Sequence, residues 1–188
     1  MSRKASKKKT EVITESTVDT YLPQGDESLL ATVLQFLKEL DFRSDDVHTW
    51  TDENDCERFR IRSGVHMDNG DFAVLICGNV RLRTLIVYTI SPTGAPRQRR
   101  AEVAELVTRA NWALLHGNFE MDYRDGEVRF KMSMEFDGTP MNFSLMRYLL
   151  WTGWGLVNDY QPALEAVIVG EATPEEAEQQ VQSGGSGV

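Results

Sequence analysis

The chain has 188 residues, of which 41% are hydrophobic and 26% charged, the composition of a globular protein with room for one core. No stretch approaches the run of about 20 apolar residues that a membrane-spanning helix needs. The net charge of −9 argues against nucleic acid as the main partner, because an acidic surface repels phosphate backbones. We therefore expect neither a membrane nor nucleic acid as the partner.

Charge and composition divide the chain into three parts. Residues 1–20 carry five basic and three acidic side chains in a Ser/Thr-rich segment, which predicts a disordered basic tail. No apolar run follows its basic residues, so this tail does not resemble a secretory signal. Residues 21–171 form the predicted domain, and residues 172–188 a short helix and a flexible acidic, Gly/Ser-rich end.

Cysteine usage indicates a reducing compartment. The two cysteines, Cys56 and Cys77, allow one disulfide at most. Cys77 lies in an apolar run, where a reduced and buried thiol is the commoner state. We therefore expect a cytoplasmic protein.

The first half of the chain predicts a helix followed by antiparallel strands. Asp26 is a suitable N-cap for a helix with apolar residues at helical spacing. That stripe consists of Leu30, Val33, Leu34, Leu37 and Leu40. Strands are predicted over Glu57–Arg62, Phe72–Cys77 and Arg81–Ile90, with Val47–Thr51 as a candidate fourth. The Asn69-Gly70 pair suits the tight turn between the first two.

The second half predicts a helix, a hairpin and further helices. Apolar spacing from Val103 to Leu114, closed by Gly117, indicates the second helix. Alternating segments on both sides of Asp125-Gly126 predict a hairpin. A third helix is expected from about Met141 to Trp154, a shorter one after Pro162, and a last turn or two at Pro174–Val181. The order helix, antiparallel meander, helix, hairpin, helix indicates an α+β fold, a two-layer sandwich.

No catalytic, cofactor or metal motif is present. The chain lacks a Gly-rich phosphate loop, a GxSxG elbow and an HExxH pair. The three histidines fall in different segments and have no ligand spacing with each other or with the cysteines: His48, His66 and His116. The acidic run around Asp52 lacks the alternating ligands of a calcium loop. We therefore expect no enzyme activity and no cofactor.

Two groups of residues are candidates for partner contact. Arg58, Arg60 and Arg62 share one strand face, which suits either an acidic peptide or phosphate or an outward sheet face paired with Asp and Glu. The overall acidity favours the paired face. Trp151 and Trp154 make the third helix apolar on several sides, which suits either the core or a dimer or partner contact.

Asn111 lies beside the apolar stripe of the second helix. A buried amide at this position must be hydrogen-bonded, and the loop that leads into the hairpin is its nearest source of partners. We predict a structural role for it.

Several segments together resemble the YbjN domain family. The first is Ala110–Asp122, with an Asn near a helix end, a Gly, and then Phe119-Glu120-Met121-Asp122. Asp125-Gly126-Glu127 follows as the family's hairpin turn, and the segments 159–164 and 170–177 resemble its closing helix and tail. In layout the resemblance covers Glu27 to Ala177.

This resemblance implies a fold similar to that of type III secretion chaperones, which are small, acidic, usually dimeric proteins that bind segments of client proteins. It implies a non-enzymatic, chaperone-like or regulatory module that binds a protein partner and forms a homodimer. It supplies no catalytic residues. Two alternatives remain: a small-ligand binder or enzyme built from scattered groups such as the arginines and His66, and nucleic-acid association through residues 1–9.

Overall fold

The protein was analysed as a computed structural model that describes residues 29–44, 46–136 and 141–184. The helices are α1 (Leu29–Glu39), α2 (Arg100–Ala113), α3 (Phe143–Val169) and α4 (Pro174–Gly184), and a short 3-10 turn (Arg97–Arg99) precedes α2. The strands are β1 (Asp46–Thr51), β2 (Glu57–Met67), β3 (Gly70–Asn79), β4 (Thr84–Ile90), β5 (Asn118–Met121) and β6 (Val128–Glu135). This order confirms the predicted α+β fold. The predicted N-cap Asp26 and the basic tail lie outside the described residues.

All six strands belong to one antiparallel sheet with the order β1-β2-β3-β4-β6-β5. The candidate fourth strand at Val47–Thr51 is β1, which pairs with β2 along its whole length. The β5–β6 hairpin joins the meander through β6, whose Phe130 lies opposite Thr89 of β4. Meander and hairpin therefore make a single continuous surface.

The helices cover one face of this sheet. Alternate residues of the central strands point into the core and are at most 3% exposed: Phe59, Ile61, Phe72, Val74, Ile76, Leu85, Val87, Val128, Phe130 and Met132. Facing them from α3 are Met146, Leu149 and Leu150, none of which is exposed to solvent. Full burial of a side chain of this size stabilises the fold by about 1.5–3 kcal/mol. The helices therefore pack on one face of the sheet and hold its strands in place from that side.

Helix α3 runs through Pro162, so the prediction of a helix that stops near Trp154 and of a shorter one after Pro162 is wrong. Proline has no N–H, so the carbonyl of Asn158, four residues earlier, lacks its helical donor. The side-chain amide of Asn69 donates to that oxygen at 2.8 Å, and the Asn69 main-chain N–H donates to Asn158 Oδ1 at 3.0 Å. The β2–β3 turn thus supplies the hydrogen bond that the proline removes.

Strand β4 begins at Thr84, three residues later than predicted. Asn79 Oδ1 accepts a hydrogen bond from the Leu82 N–H at 3.0 Å, and Arg83 has a φ of 46°, so residues 80–83 form a turn. Leu82 is consequently 56% exposed and does not share a strand face with Ile86. Arg81 and Arg83 lie in this turn as well.

Helix α4 packs against the domain and extends beyond the predicted Val181. Thr173 and Glu176 form a capping box, with main-chain to side-chain distances of 2.9 and 3.3 Å. Pro174 and Ala177 of α4 are buried. Arg109 of α2 lies 3.8–3.9 Å from two α4 glutamates, at the outer limit of an ion pair.

Candidate functional site

The face of the sheet opposite the helices, which we call the open face, carries the predicted arginines. Arg58, Arg60 and Arg62 alternate along β2 with the buried Phe59 and Ile61, so all three point to the open face. We call them the first basic row. Strand β6 is separated from β2 by β3 and β4, and its Arg129 and Lys131 point to the open face by the same alternation. We call these two residues the second basic row.

Between the two rows, β3 and β4 contribute side chains that are mostly apolar. We call this the apolar strip: Leu75, Cys77, Ile86, Tyr88 and Ile90. Each is partly exposed. The strand register places these side chains in lines across the sheet, with Arg62, Leu75, Tyr88 and Lys131 in one line and Arg60, Cys77 and Ile86 in the next. The open face is thus an apolar floor with basic side chains on both sides.

The first basic row is only partly neutralised. Arg58 Nη2 lies 2.7 Å from Asp52 Oδ2, and the hydrogen bond from Arg58 lowers the pKa of Asp52 below its usual value. Across the described ranges, neither Arg60 nor Arg62 has a carboxylate within 4.0 Å. The expectation that neighbouring Asp and Glu pair with this face therefore holds for Arg58 alone.

The second basic row is held in place by two glutamates and one tyrosine. Arg129 Nη1 lies 3.4 Å from Glu127 Oε1. Glu120 of β5 lies 3.0 Å from Arg129 Nη2 and 3.1 Å from Lys131 Nζ. Burial raises the pKa of Glu120, but the hydrogen bonds from Lys131 and Arg129 outweigh burial and lower it overall. The Arg129 guanidinium also lies 4.2 Å from the centre of the Tyr88 ring, a cation–π contact. These contacts hold Arg129 beside the apolar strip.

Cys77 lies between the two rows. Burial raises the pKa of its thiol, while the charges of Arg60 and Arg129, one from each row, act in the opposite direction. Both guanidinium groups therefore lie close enough to the centre of the strip to affect it. Cys77 and the buried Cys56 are free thiols.

The two predicted tryptophans of α3 occupy different environments. Trp154 is 8% exposed and stacks on Phe42 with ring centres 5.2 Å apart, so it belongs to the core. Trp151 is 47% exposed, although its ring touches that of Trp154. Only Trp151 is available for contact with a partner, and it lies on the helical layer, far from the arginines of the open face.

The helical layer exposes further large apolar side chains that the sequence analysis did not single out. Among them are Trp112 and Leu115, at and just beyond the end of α2, and Tyr148, one turn before Trp151 on α3. Their exposed fractions are 94%, 85% and 37%, respectively. His116, which follows Leu115, contacts Tyr148 of α3 in a T-shaped arrangement with ring centres 5.9 Å apart. We call Trp112, Leu115, Tyr148 and Trp151 the helix patch.

The predicted structural role of Asn111 is confirmed. Its Nδ2 donates to the main-chain oxygen of Phe119 at 3.0 Å, and its Oδ1 accepts from the Phe119 N–H at 2.7 Å. Phe119 belongs to the edge strand β5, so the amide of Asn111 takes the place that another strand would occupy. Helix α2 thereby closes this edge of the sheet.

A small cavity lies between α2, α3 and the sheet. It holds about 20 Å³, room for a single water molecule, and its walls are almost wholly apolar. Gln161 at its margin is buried but satisfied, since Ser91 donates to its Oε1 at 2.8 Å and its own amide donates to Glu165 at 2.8 Å. His66, the other residue considered for a ligand site, pairs with Asp71 at the sheet end and is exposed.

Nothing in the described ranges resembles a metal centre or a membrane span. No three His, Cys, Asp or Glu side chains of these residues lie close enough together to hold an ion. None of the described helices has both the length and the apolar character that crossing a bilayer requires.

Comparison with protein families gives a match over most of the chain. A family model named YbjN, described as "Putative bacterial sensory transduction regulator", matches residues 29–166. No curated protein matches the chain. The match covers all six strands, α1, α2 and most of α3, and it ends before α4. The family description names regulation and not a reaction, in line with the non-enzymatic role expected from the sequence. The chain belongs to the YbjN family.

Proposed function

We propose that this protein is a regulator that acts by binding a protein partner through the open face of its sheet. One observation carries the proposal: among the residues that the structure describes, no carboxylate lies within 4.0 Å of Arg60 or Arg62, and both lie beside an apolar strip on a chain with a net charge of −9. An exposed apolar surface rimmed by charge is characteristic of an interaction site. An unpaired cation beside it favours a partner that brings carboxylates.

A small-molecule site is less well supported. Ligand pockets usually measure about 300–1,000 Å³ and combine apolar walls with a few convergent polar groups. The cavity between α2, α3 and the sheet offers about 20 Å³ and almost no polar wall. The arginines and His66, which the alternative hypothesis required together, lie on an open surface and at a strand end instead.

We also propose that the expected homodimer forms through the helix patch. With about 150–250 Å² for a whole aromatic side chain, the exposed fractions of Trp112, Tyr148 and Trp151 together correspond to about 350 Å² of surface, to which the exposed Leu115 adds. A standard interface buries about 800 Å² on each partner, so the patch is large enough to form its centre. The Trp112→Ala variant should then be monomeric in light scattering at concentrations where the unaltered chain is dimeric. A monomeric unaltered chain at about 100 μM would remove this proposal.

Partner capture tests the proposed function. Tagged full-length protein, its Arg60→Glu/Arg62→Glu variant and the matched Arg97→Glu/Arg147→Glu variant are used to capture proteins from the cells that express them. Arg97 and Arg147 are exposed and lie outside the sheet, so the two double variants have the same net charge. We expect a protein that the unaltered chain and the control variant retain and the first variant loses. Equal retention by all three would contradict binding at the open face.

A further inference from the structure

We propose that the open face binds an acidic amphipathic α-helix of the partner, with the helix lying along β3 and β4 between the two basic rows. This inference rests on the proposed function and adds the shape and chemistry of the bound segment. It follows from the distance between the rows, the apolar side chains of the strip and the charges of the first row.

The distance between the rows suits a helix. β2 and β6 are three strand spacings apart, with β3 and β4 between them. At about 4.8 Å a spacing, the rows lie about 14 Å apart. An α-helix with its side chains is about 10–12 Å wide, so it fits between the rows and contacts both. An extended segment about 5 Å wide covers one of the two central strands and reaches one row.

The apolar strip suits the apolar side of such a helix. Ile86, Tyr88 and Ile90 point to the open face at every second residue of β4, and Leu75 and Cys77 do the same on β3. The span from Ile86 to Ile90 is about 13 Å, which corresponds to about nine residues or two and a half turns of helix. The strip is therefore as long as a short recognition helix.

The charges on the first row fix the helix as acidic. Arg60 and Arg62 are about 7 Å apart along β2. Carboxylates at positions i and i+4 of a helix are about 6 Å apart along its axis, so one pair can reach both guanidinium groups. Asp46 of β1 lies opposite Arg62 in the strand pairing. Neither arginine has a carboxylate within 4.0 Å in the described ranges, so this pairing breaks no existing ion pair.

The second row already has its carboxylates. Lys131 lies level with Arg62 across Leu75 and Tyr88. Glu120 lies 3.0 Å from Arg129 and 3.1 Å from Lys131, and Glu127 lies 3.4 Å from Arg129, so two cations face two carboxylates. A helix with its acidic residues on the flank that meets Arg60 and Arg62, and a neutral polar flank beside the second row, thus complements the whole site.

The test uses synthetic peptides and the full-length chain. The first peptide is an 18-residue helix with leucines on one side and glutamates on both flanks. The second has the same composition with all glutamates on one flank, and the third is an extended acidic peptide in which proline prevents helix formation. Fluorescence anisotropy gives the Kd of each for the unaltered chain, Arg60→Glu/Arg62→Glu and Arg97→Glu/Arg147→Glu.

We expect the one-flank helix, which brings all its glutamates to Arg60 and Arg62, to bind at least fivefold more tightly than the two-flank helix and the extended peptide. Its Kd should rise at least tenfold in Arg60→Glu/Arg62→Glu and change less than twofold in the control variant. The Arg60→Gln/Arg62→Gln variant should give an intermediate loss, which separates lost attraction from new repulsion. Circular dichroism of each variant verifies that the fold is kept.

Three results would overturn the proposal, and they differ in what they leave of the proposed function. Tighter, Arg60/Arg62-dependent binding of the extended peptide would replace the helix by a strand and leave the open face as the binding site. Equal or tighter binding of the two-flank helix would contradict a pairing in which the carboxylates meet the first row alone. If no peptide binds and light scattering shows a dimer that Arg60→Glu/Arg62→Glu dissociates, the face is occupied by a second copy of the chain.

Discussion

The amide of Asn111 offers the sharpest test of how the sheet edge is closed. Replacing it by alanine removes both hydrogen bonds to the main chain of Phe119, at 2.7 and 3.0 Å. The Phe119 oxygen keeps a weaker donor, the Asn118 amide at 3.3 Å, but its N–H is left without an acceptor in the described structure. A buried polar group without a partner costs about 1–3 kcal/mol.

The net effect of Asn111→Ala follows from two opposing contributions. Alanine is the better helix former, which returns about 0.5 kcal/mol. We therefore expect the free energy of unfolding to fall by about 2 kcal/mol. With an m value of about 2 kcal/mol per molar urea, the midpoint of urea unfolding should fall by about 1 M.

A matched substitution separates the two hydrogen bonds. Asn111→Asp keeps an acceptor for the Phe119 N–H but places an anionic oxygen where Nδ2 donates to the Phe119 oxygen, so at pH 7 its loss of stability should be at least as large and should shrink when the carboxyl is protonated at acidic pH. The Phe119 amide should exchange its hydrogen faster in Asn111→Ala than in Asn111→Asp. A change below about 0.5 kcal/mol in Asn111→Ala, with unaltered exchange, would refute the assignment of this amide to the sheet edge.

Three further substitutions test other parts of the fold. Asn69→Ala removes the two hydrogen bonds that tie the β2–β3 turn to α3, and urea unfolding should show a loss of about 1 kcal/mol; an unchanged midpoint would contradict this. Gly126→Ala should lower the free energy of unfolding by more than about 3 kcal/mol, because the φ of Gly126 is 88° and a Cβ would lie 1.9 Å from the Ala95 oxygen. Gly155 lies in open space on a helix, so Gly155→Ala should stabilise the fold by up to about 1 kcal/mol. Similar melting temperatures for the two variants would be inconsistent with this geometry. Glu120→Gln should destabilise the fold at pH 7 and much less at pH 3, because the lowered pKa of this carboxyl makes its stabilising contribution present above its unfolded value near 4.5 and lost as the pH falls through the folded value; a difference that does not depend on pH would argue against the pairing.

Local patterns were enough to predict the order of elements and the role of Asn111. Hydrophobic periodicity was enough to locate five of the helices and strands in the sequence, because each of them buries either a regular stripe or every second residue. The continuous α3 could not be predicted in this way. The donor that replaces the missing proline N–H comes from Asn69, which is 89 residues from Asn158 in the chain.

The candidate site shows the same division between local and long-range information. Alternation along β2 was sufficient to place Arg58, Arg60 and Arg62 on one face. The second basic row lies on a strand whose neighbour in the sheet is β4, and this pairing has no local signal. The exposure of Trp112 was not predicted, although helical spacing alone could have indicated it. Trp112 lies two residues after the buried Ala110, so it points away from the buried side of α2.

The central claim is that a protein partner covers the open face, and site-specific photo-crosslinking tests it most directly. A photo-reactive amino acid is placed at Ile86, in the apolar strip, and in a second protein at Arg147, exposed on α3. We predict that the Ile86 position crosslinks to a partner protein in cells, that the Arg60→Glu/Arg62→Glu change abolishes this product, and that the Arg147 position does not give it. Crosslinking to the same partner from Arg147 and not from Ile86 would place the contact on the helical layer and contradict the account.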